Sequence, residues 1–415
     1  MRLQTIAVKY PAHIRQFYNQ HPELITKSYI EQYAAFISGS FGAPETRTHA
    51  FSEIGYQIDH IFANAEPMQK RWAMENGVTY NEEQWMCDIA QAQIIDFEPD
   101  ILFMNEYSTF TKAFLDQIKI KCPSIRFILG WCGSPYNDPK IFQSYDIVLS
   151  NIPELVRQFK DNGHTSYHIN HAFDPRILER IDTHLLQNVD FSFIGSISMS
   201  QDFHHQREIL LLDLIESSNI EIWAYIKQPS YKKKVSTKAR QLIYDLNKVA
   251  KSAGIPENLL NKTPLVNKVA RWKMRPDLSM YIDHRISRQA HPPIFSLDMF
   301  QQLHDSKLTL NTHIDLSSRS ASNMRLFEAT GVGTCLLTDW KENLPELFEP
   351  EVDVVTYRSA EECIEKVNFL LEHENKRAAI AEAGQRRTLR DHTVKQRVDL
   401  INDIIQKHLR KAGGR

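Results

Sequence analysis

The sequence predicts an α/β protein made of two Rossmann-like domains that face each other across a cleft. Short apolar runs alternate with longer segments of helical periodicity through most of the 415 residues, which is the pattern of parallel strands joined by helices. The length suggests two domains of roughly 150–200 residues each. In open sheets of this kind ligands bind at the carboxyl ends of the strands, so we expect the functional site in the cleft.

The predicted strands of the first half are short apolar runs bounded by turn-forming or polar residues. They are LQTIAVKY, GYQIDHIFAN, EPDILFMNEYS, SIRFILGWCGSP and YDIVLSN. Apolar residues at helical spacing predict helices in YIEQYAAFI, WMCDIAQAQIIDF and IPELVRQFKDNG, the last with Gly163 at its C-cap.

The second half shows the same alternation with one interruption. Its predicted strands are VDFSFIGSIS, NIEIWAYI, KLTLNTHID, TCLLTD and VVTYRS, and its predicted helices are REILLLDLIESS, LDMFQQLHDS, NMRLFEATG and AEECIEKVNFLLEH. We therefore predict a first domain over residues 1–172 and a second over 188–390. A basic, mainly helical stretch predicts a helical insertion over about 230–293, and a charged helical tail follows over 391–415.

Composition excludes several classes of partner and site. The formal net charge is −2, whereas nucleic-acid binders usually carry a basic excess, so no nucleic acid is expected. The five cysteines are scattered without a CxxC pair, which indicates neither a disulfide framework nor a zinc site. No signal peptide or membrane span is predicted, so we expect a cytoplasmic protein, either free or at the inner face of the membrane.

The basic run YKKKVSTKAR at residues 231–240 has two interpretations. The simpler one is the solvated face of a helix. The alternative is peripheral membrane contact, in which the run docks on anionic lipid headgroups near a lipid-linked acceptor.

The stretch SNMRLFEATGVGTCLLTD carries charged residues on a helix that otherwise looks built for a core. Arg325 and Glu328 lie on one face because they are three residues apart, and Asn323 lies near the helix N-terminus, where anions are favoured. Arg325 suits a phosphate and Glu328 suits the hydroxyls of a ribose, while Gly331 lets backbone approach a ligand. The alternative is an ordinary intrahelical ion pair worth about 0.3–0.5 kcal/mol.

Two further strand ends carry polar residues that predict ligand contacts. Gly195 and Ser196 follow the strand VDFSFI, where backbone amides can form a nest for a diphosphate, although a plain βα turn explains the same pattern. Asn311 and His313 have period-two spacing in LTLNTHID, so they share one face of a strand or lie just beyond its end. For His313, donor contact and a hydrogen-bonded structural role remain open.

The segments SKLTLNTHID, NMRLFEATGVGTCLLTD and ELFEPEVDVVTYRSAEE, with NVDFSFIGSIS before them, resemble the donor-binding half of GT-B glycosyltransferases. The closest resemblance is to the branch of spore-maturation-type proteins, and it covers about residues 145–397. The resemblance implies that Glu328 holds the ribose and that the turn at Gly195 approaches the phosphates. It also implies that His204 and Arg207 face the phosphates. Ser320 stands where related retaining enzymes have a second glutamate, so retention of configuration is not implied.

The junction between the domains, in YHINHAFDP, contains His171 and Asp174. The resemblance implies interdomain contacts near the donor for both residues. Simple capping by Asp174 is the alternative.

A catalytic base is expected at the strand ends of the first domain, because an inverting transfer needs a group that takes the acceptor proton. Glu106 is the first choice, and His13 and Asp138 are the other candidates. An exposed structural carboxylate is the alternative for Glu106.

These observations predict a hexosyltransferase that moves a sugar from a nucleotide-diphosphate donor to a hydroxyl of a glycan or small acceptor. With no pair of carboxylates suited to a metal, we expect no obligatory metal or other cofactor. The alternatives are a non-catalytic protein that binds glycan or nucleotide sugar, and a nucleotide-sugar epimerase of the same fold. Replacing Glu328 by alanine is expected to weaken nucleotide binding while the fold stays intact.

Overall fold

The computed structural model describes residues 1–136, 138–197, 205–226, 231–252 and 282–413. Within these residues the chain forms two six-stranded sheets, each flanked by helices. All strand pairings in both sheets are parallel. The prediction of an α/β protein with two Rossmann-like domains is confirmed.

The first sheet has the order β2-β1-β3-β4-β5-β6. Its strands are β1 (Arg2–Ala7), β2 (Gln57–Phe62), β3 (Ile101–Met104), β4 (Phe127–Trp131), β5 (Ile147–Ser150) and β6 (Ser166–His168). The accompanying helices are α1 (Pro11–Gln20), α2 (Tyr29–Gly39), α3 (Ala43–Glu53), α4 (Glu66–Glu75), α5 (Trp85–Phe97), α6 (Lys112–Lys121) and α7 (Pro153–Asp161). Strands β3, β4 and β5 are buried along their whole length, which explains their near-continuous apolar sequences.

The second sheet has the order β12-β11-β10-β7-β8-β9. Its strands are β7 (Val189–Ile194), β8 (Ile220–Trp223), β9 (Ala290–His291), β10 (Ser306–Asn311), β11 (Cys335–Asp339) and β12 (Val355–Tyr357). The helices of this half are α8 (His205–Ser217), α9 (Tyr231–Ser252), α10 (His284–Gln289), α11 (Ser296–His304), α12 (Arg325–Gly331), α13 (Leu344–Leu347), α14 (Ala360–Glu372), α15 (Glu374–Asp391) and α16 (Val394–Gly413).

Strand order fixes where each sheet can bind a ligand. The chain reverses its direction of winding between β1 and β3 in the first sheet and between β7 and β10 in the second. At such a switch point the two loops that follow the strands turn to opposite faces and leave a crevice at the carboxyl edge. The residues that follow β1 and β3 in the first sheet, and β7 and β10 in the second, therefore border these crevices.

The C-terminal helix returns to the first domain. Phe173 and Thr393 form a parallel bridge where the chain crosses between the two sheets. Beyond this crossing Val398 and Ile401 of α16 are fully buried in a cluster with Phe51 of α3 and with strand residues of the first sheet. The segment predicted as a tail is thus helical and supplies part of the core of the first domain.

Residues 316–322 of the second domain also contact the first domain. The Asn151 side chain donates a hydrogen bond to the Ser322 carbonyl at 2.8 Å, and the Ser320 hydroxyl donates to Glu154 at 2.8 Å. Leu316 packs beside the apolar core of the first domain. The cleft is therefore closed at this side by direct contacts between the domains.

The predicted helical insertion is described only at its two ends. Residues 231–252 form α9, and 284–291 form α10 and the two-residue strand β9. Residues 253–281 lie outside the described residues.

Candidate functional site

Two arginines bind carbonyl groups of the turn after β7. Arg325 donates a hydrogen bond from Nη2 to the Ile194 carbonyl at 2.8 Å. Arg207, 7% exposed, donates from Nη1 to the Ser196 carbonyl at 2.6 Å and from Nη2 to the Thr312 carbonyl, which follows β10. The two guanidinium groups therefore hold the loops of the β7/β10 switch point in place.

The predicted nest at Gly195 is corrected by the backbone hydrogen bonds. The Gly195 N–H donates to the Trp223 carbonyl at 3.1 Å and so continues the ladder between β7 and β8. This amide is already occupied and does not point into an anion site. Gly195 still lies at the switch point, and Ser196 follows it as predicted.

Two asparagines connect the end of β10 to the segment before α12. Asn311 donates to the Thr338 hydroxyl at 2.9 Å, and Asn323 donates to the Asn311 side chain at 2.8 Å and to the Thr312 carbonyl at 3.2 Å. Asn311 is 2% exposed. The structure thus brings these two predicted residues together, at positions where each amide fixes the loop that lines the crevice.

His313 belongs to a buried charged group that the sequence did not reveal. Its Nδ1 lies 2.6 Å from Asp339 Oδ1, and Lys341 Nζ lies 3.0 Å from Asp339 Oδ2. Burial alone would raise the pKa of Asp339, but the charges of His313 and Lys341 outweigh it and hold that pKa below its usual range. The Nε2 atom of His313 is buried and has no hydrogen-bond partner in the described part of the chain. Buried polar atoms without a protein partner usually pair with a water, an ion or a ligand group.

Arg325 and Glu328 form an ion pair, with Nη1 and Oε2 3.1 Å apart. Their side chains are only 13% and 9% exposed, so the estimate for a surface pair does not apply. Burial lowers the pKa of Arg325 and raises that of Glu328, and each charge partly opposes the shift in its partner. The pair is held from the opposite side by Met299 of α11, whose sulfur lies 3.5 Å from Arg325 Nη2.

Gly331, which the sequence predicted to let backbone approach a ligand, has a packing role in the structure. A β-carbon at this position would lie 2.3 Å from the ring of Phe173, and the Gly331 carbonyl accepts a hydrogen bond from Gln385 at 3.1 Å. Gly331 therefore allows α12 to pack against the crossing between the domains. Gly333, with φ of +85°, is the residue that ends the helix in the left-handed region.

His13 of the first domain contacts the second domain directly. It lies in the first turn of α1, just after β1, and its ring stacks on Phe295 with centroids 5.0 Å apart. Its Nε2 lies 3.2 Å from the Ser296 hydroxyl, and Ser296 has the strained φ of +53°. Burial, with a smaller effect of Lys9, lowers the pKa of His13 to about 4, so the ring is neutral at pH 7.

The position of α11 links His13 to the Arg325–Glu328 pair. Ser296 and Met299 are three residues apart on α11, so they lie on adjacent turns of one helix face. Ser296 contacts His13, and Met299 contacts Arg325. A neutral histidine of one domain and the charged pair of the other therefore contact α11 at points about one helical turn apart, roughly 5 Å along its axis.

A second buried charged group lies beside His13. Lys9 Nζ is 2.7 Å from Glu45 Oε2, and His60 Nε2 is 3.4 Å from Glu45 Oε1. Glu45 is 4% exposed, and its charge partners outweigh burial and hold its pKa below the ordinary value. Sequence reasoning missed this group because its members lie far apart along the chain, and the polar helix APETRTHAFSE gives no sign that it is buried.

The two predicted carboxylate bases serve local backbone amides. Glu106 accepts hydrogen bonds from the Ser108 N–H at 2.8 Å, from the Ser108 hydroxyl and from the Thr109 N–H at 2.7 Å. Asp138 caps a short 3₁₀ helix by accepting from the Lys140 N–H at 2.9 Å. Both carboxylates accept hydrogen bonds from their own loops, so the contacts favour His13 among the three predicted bases.

The junction residues lie away from the donor strand ends. His171 packs against Trp131 of the first domain with ring centroids 5.3 Å apart, and burial, helped by nearby arginines, lowers its pKa to about 3. Asp174 caps the 3₁₀ helix Pro175–Glu179 and pairs with Arg176. The capping interpretation therefore describes Asp174. His204 lies outside the described residues.

Within the ranges given above, no group of three or more histidine, cysteine, aspartate and glutamate side chains is arranged to hold a metal ion. None of the helices in those ranges is both long enough and apolar enough to cross a bilayer.

Comparison with known proteins supports the architecture. Residues 247–403 match a family model described as glycosyl transferase-like, while no curated protein matches the chain. A glycosyltransferase from Rickettsia africae ESF-5 is similar over 98% of both chains, with a TM-score of 0.53 and 9% identity. Anabaena HepE in complex with UDP-glucose is similar over 98% of this chain and 100% of its own, with a TM-score of 0.53 and 11% identity.

Sucrose-phosphate synthase from Thermosynechococcus elongatus gives a TM-score of 0.52 at 7% identity, covering 99% of this chain and 100% of its own. At such identities the likeness concerns the fold. With its two six-stranded parallel sheets, the chain has the GT-B fold of glycosyltransferases.

Proposed function

We propose that the protein is a glycosyltransferase that moves a hexosyl group from a nucleotide-diphosphate sugar to a hydroxyl of a glycan or small acceptor. The observation that carries the proposal is the meeting of two half-sites: polar and charged groups converge at the β7/β10 switch point, and His13 of the other domain contacts α11 about one helical turn from the point where α11 contacts Arg325. Fold alone does not assign a reaction. The glycosyl transferase-like match over residues 247–403 and the UDP-glucose bound to HepE agree with this assignment.

The donor binds at the carboxyl edge of the second sheet in this proposal. Arg325 turns from the Ile194 carbonyl toward the diphosphate, because a guanidinium forms its strongest hydrogen bonds with phosphate oxygens. Glu328, released from the ion pair, accepts hydrogen bonds from the ribose hydroxyls. The orphan Nε2 of His313, oriented by Asp339, supplies a further contact to the donor.

The acceptor binds at the carboxyl end of β1, beside His13. Tyr10 is 64% exposed and lies 6.0 Å from the Phe295 ring, so aromatic faces from both domains border this region. Neutral His13 is in the protonation state that a general base requires. The cleft opens to admit the substrates and then closes on them. In the closed state the acceptor hydroxyl takes the place of the Ser296 hydroxyl beside His13 Nε2.

The reaction is a single displacement at the anomeric carbon. The proton of the acceptor hydroxyl passes to His13 Nε2 while the acceptor oxygen forms a bond to the anomeric carbon. The bond from that carbon to the diphosphate oxygen breaks, and its electron pair leaves with the diphosphate. Arg325 stabilises the negative charge that develops there. Ser320, which takes the place of the second glutamate of retaining relatives, is consistent with inversion.

Three finer assignments accompany the proposal. We propose that transfer needs no metal, since arginine charge stabilises the leaving diphosphate. The assignment to the spore-maturation-type branch rests on the sequence resemblance. We place the reaction in the cytoplasm, with the protein either free or at the inner face of the membrane.

The test is release of nucleoside diphosphate from UDP-glucose and related donors, with and without mixed oligosaccharide acceptors, in the presence of EDTA. The parent protein is expected to release the diphosphate faster when an acceptor is present. His13→Gln is expected to lose the acceptor-dependent rate by about 10²–10⁴-fold and to keep donor binding. Donor binding without release by the parent would assign the chain to the non-catalytic binding proteins.

A further inference from the structure

Helix α9 has an exposed apolar stripe. Val235, Leu242, Leu246 and Val249 are 49%, 61%, 59% and 63% exposed. Their successive spacings of seven, four and three residues place them on one face of the helix. Large apolar side chains that are singly exposed are common, whereas a contiguous row of them marks an interaction surface.

The same helix concentrates positive charge. Its sequence, YKKKVSTKARQLIYDLNKVAKS, contains seven lysines and arginines and one aspartate, which gives a formal charge of +6. The whole chain has a formal charge of −2, so the remaining residues together carry −8. Lys238 is exposed and lies three residues after Val235 and four before Leu242, at the border of the stripe.

We propose that α9 docks the protein on the surface of an anionic lipid bilayer. An apolar stripe on a helix whose other positions are rich in lysine is typical of a helix that lies in the membrane interface, with the stripe among the acyl chains and the charges at the headgroups. A protein partner of ordinary composition explains the stripe but does not require the +6 charge. A bilayer of anionic lipid is complementary to both features.

The position of α9 gives the docking a consequence for catalysis. The helix follows the carboxyl end of β8, and Trp223 at that end is paired with Ile194 of β7. Seven residues separate Trp223 from the start of α9 at Tyr231, so the helix begins within about 28 Å of the sheet edge that carries the donor-site residues. Docking brings this edge toward the membrane, which suits an acceptor attached to a lipid. This consequence rests on the proposed function, whereas the docking itself does not.

Co-sedimentation of the full chain with unilamellar vesicles tests the docking in the absence of any donor. We expect binding to vesicles that mix phosphatidylcholine with phosphatidylglycerol, weak binding to phosphatidylcholine alone, and a loss of at least about tenfold on going from low to high salt. The variant Leu242→Glu/Leu246→Glu is expected to bind the mixed vesicles at least about tenfold more weakly. The control is Ile120→Glu, at an 80% exposed position on α6, which is expected to bind as the parent does.

A second variant tests the electrostatic contribution separately. Lys238→Glu/Lys248→Glu changes two exposed positions of α9 and is expected to reduce vesicle binding by about tenfold or more. Both variants are expected to keep the unfolding temperature and nucleotide binding of the parent, because the replaced side chains are exposed. These readouts separate a failure of docking from a failure of the proposed function.

Three outcomes would overturn the proposal. The first is absence of parent binding to anionic vesicles at low salt. The second is equal binding by the parent and both variants. The third is a parent dimer that Leu242→Glu/Leu246→Glu converts to a monomer with vesicle binding unchanged, because the stripe would then be an interface between copies of the chain.

Discussion

Replacing Glu328 by alanine separates the structural role of the Arg325–Glu328 pair from its role in nucleotide binding. The sequence alone predicted that this substitution leaves the fold intact. In the structure Glu328 is 7% exposed and its carboxylate is the ion-pair partner of Arg325 at 3.1 Å. Removal of one member leaves the other charge in a poorly solvated place, which typically costs about 3–5 kcal/mol.

The expected magnitude lies at the lower end of that range. Arg325 keeps its hydrogen bond to the Ile194 carbonyl, so we expect Glu328→Ala to lower the free energy of unfolding by about 3 kcal/mol. For a domain of roughly 150–250 residues this corresponds to a decrease in Tm of about 6–12 °C. The assay is thermal unfolding followed by circular dichroism, without nucleotide.

Two comparison variants make the result interpretable. In Arg325→Met/Glu328→Leu neither charge remains, so we expect most of the stability to return while nucleotide binding stays lost. Glu382→Ala breaks an exposed pair with Arg386 and is expected to cost less than about 0.5 kcal/mol. If Glu328→Ala has the parent's Tm, the argument from burial is wrong. If it binds nucleotide as the parent does, Glu328 does not hold the ribose.

Three further results are expected. Replacing His13 by glutamine is expected to remove acceptor-dependent transfer while UDP still binds. The same substitution at the exposed His21 is expected to leave transfer unchanged. Loss of UDP binding in His13→Gln would contradict the role of His13 as the catalytic base. Because burial lowers the pKa of His13 to about 4, kcat/KM is expected to fall only when the pH approaches that value. The substitution Phe295→Ala exposes the ring and is expected to move this acid limb of the pH profile toward about 6.5. An unchanged pH profile in Phe295→Ala would exclude His13 as the titrating group. The pKa of Asp339 is lowered in the folded state, so the stability that Asp339 gives the fold is complete above the unfolded pKa of about 3.9 and is lost as the pH falls below it. Chemical denaturation at graded pH is expected to show that the free energy of unfolding falls less steeply with acidification in Asp339→Asn than in the parent. An identical pH dependence in the two proteins would mean that Asp339 does not contribute to stability.

The fold was predictable because parallel strands and amphipathic helices leave local signals. The segment WMCDIAQAQIIDF was predicted as a helix and forms α5, Trp85–Phe97. Strand β6 was missed because it has three residues, Ser166–His168, and no apolar run. The return of α16 to the first domain was also hidden. The apolar face of α16 indicates that the helix packs against a core, but it does not indicate to which domain that core belongs.

The site was predictable in position and less so in contacts. Asn311 and His313 lie at the strand end, and Arg325 lies on the helix, where the sequence placed them, since strands and helices follow from local pattern. Their partners depend on tertiary structure. The Gly195 amide donates to the Trp223 carbonyl of a neighbouring strand, and Glu45 pairs with Lys9 although 35 residues lie between them in the sequence. Neither contact can be predicted from a single sequence, because the partners are distant along the chain.

The most direct test of the central claim is whether a nucleoside diphosphate binds the native protein. A thermal-shift screen compares UDP, GDP, dTDP, CMP and ADP at millimolar concentration, each with and without magnesium. A ligand at about 100 times its Kd adds about 2.7 kcal/mol to stability, which raises the Tm by about 5–10 °C for a domain of this size. We expect one nucleoside diphosphate to raise the Tm without magnesium, and we expect this shift to be lost in Arg325→Met/Glu328→Leu. No shift with any of the five nucleotides would contradict a donor site at the β7/β10 switch point.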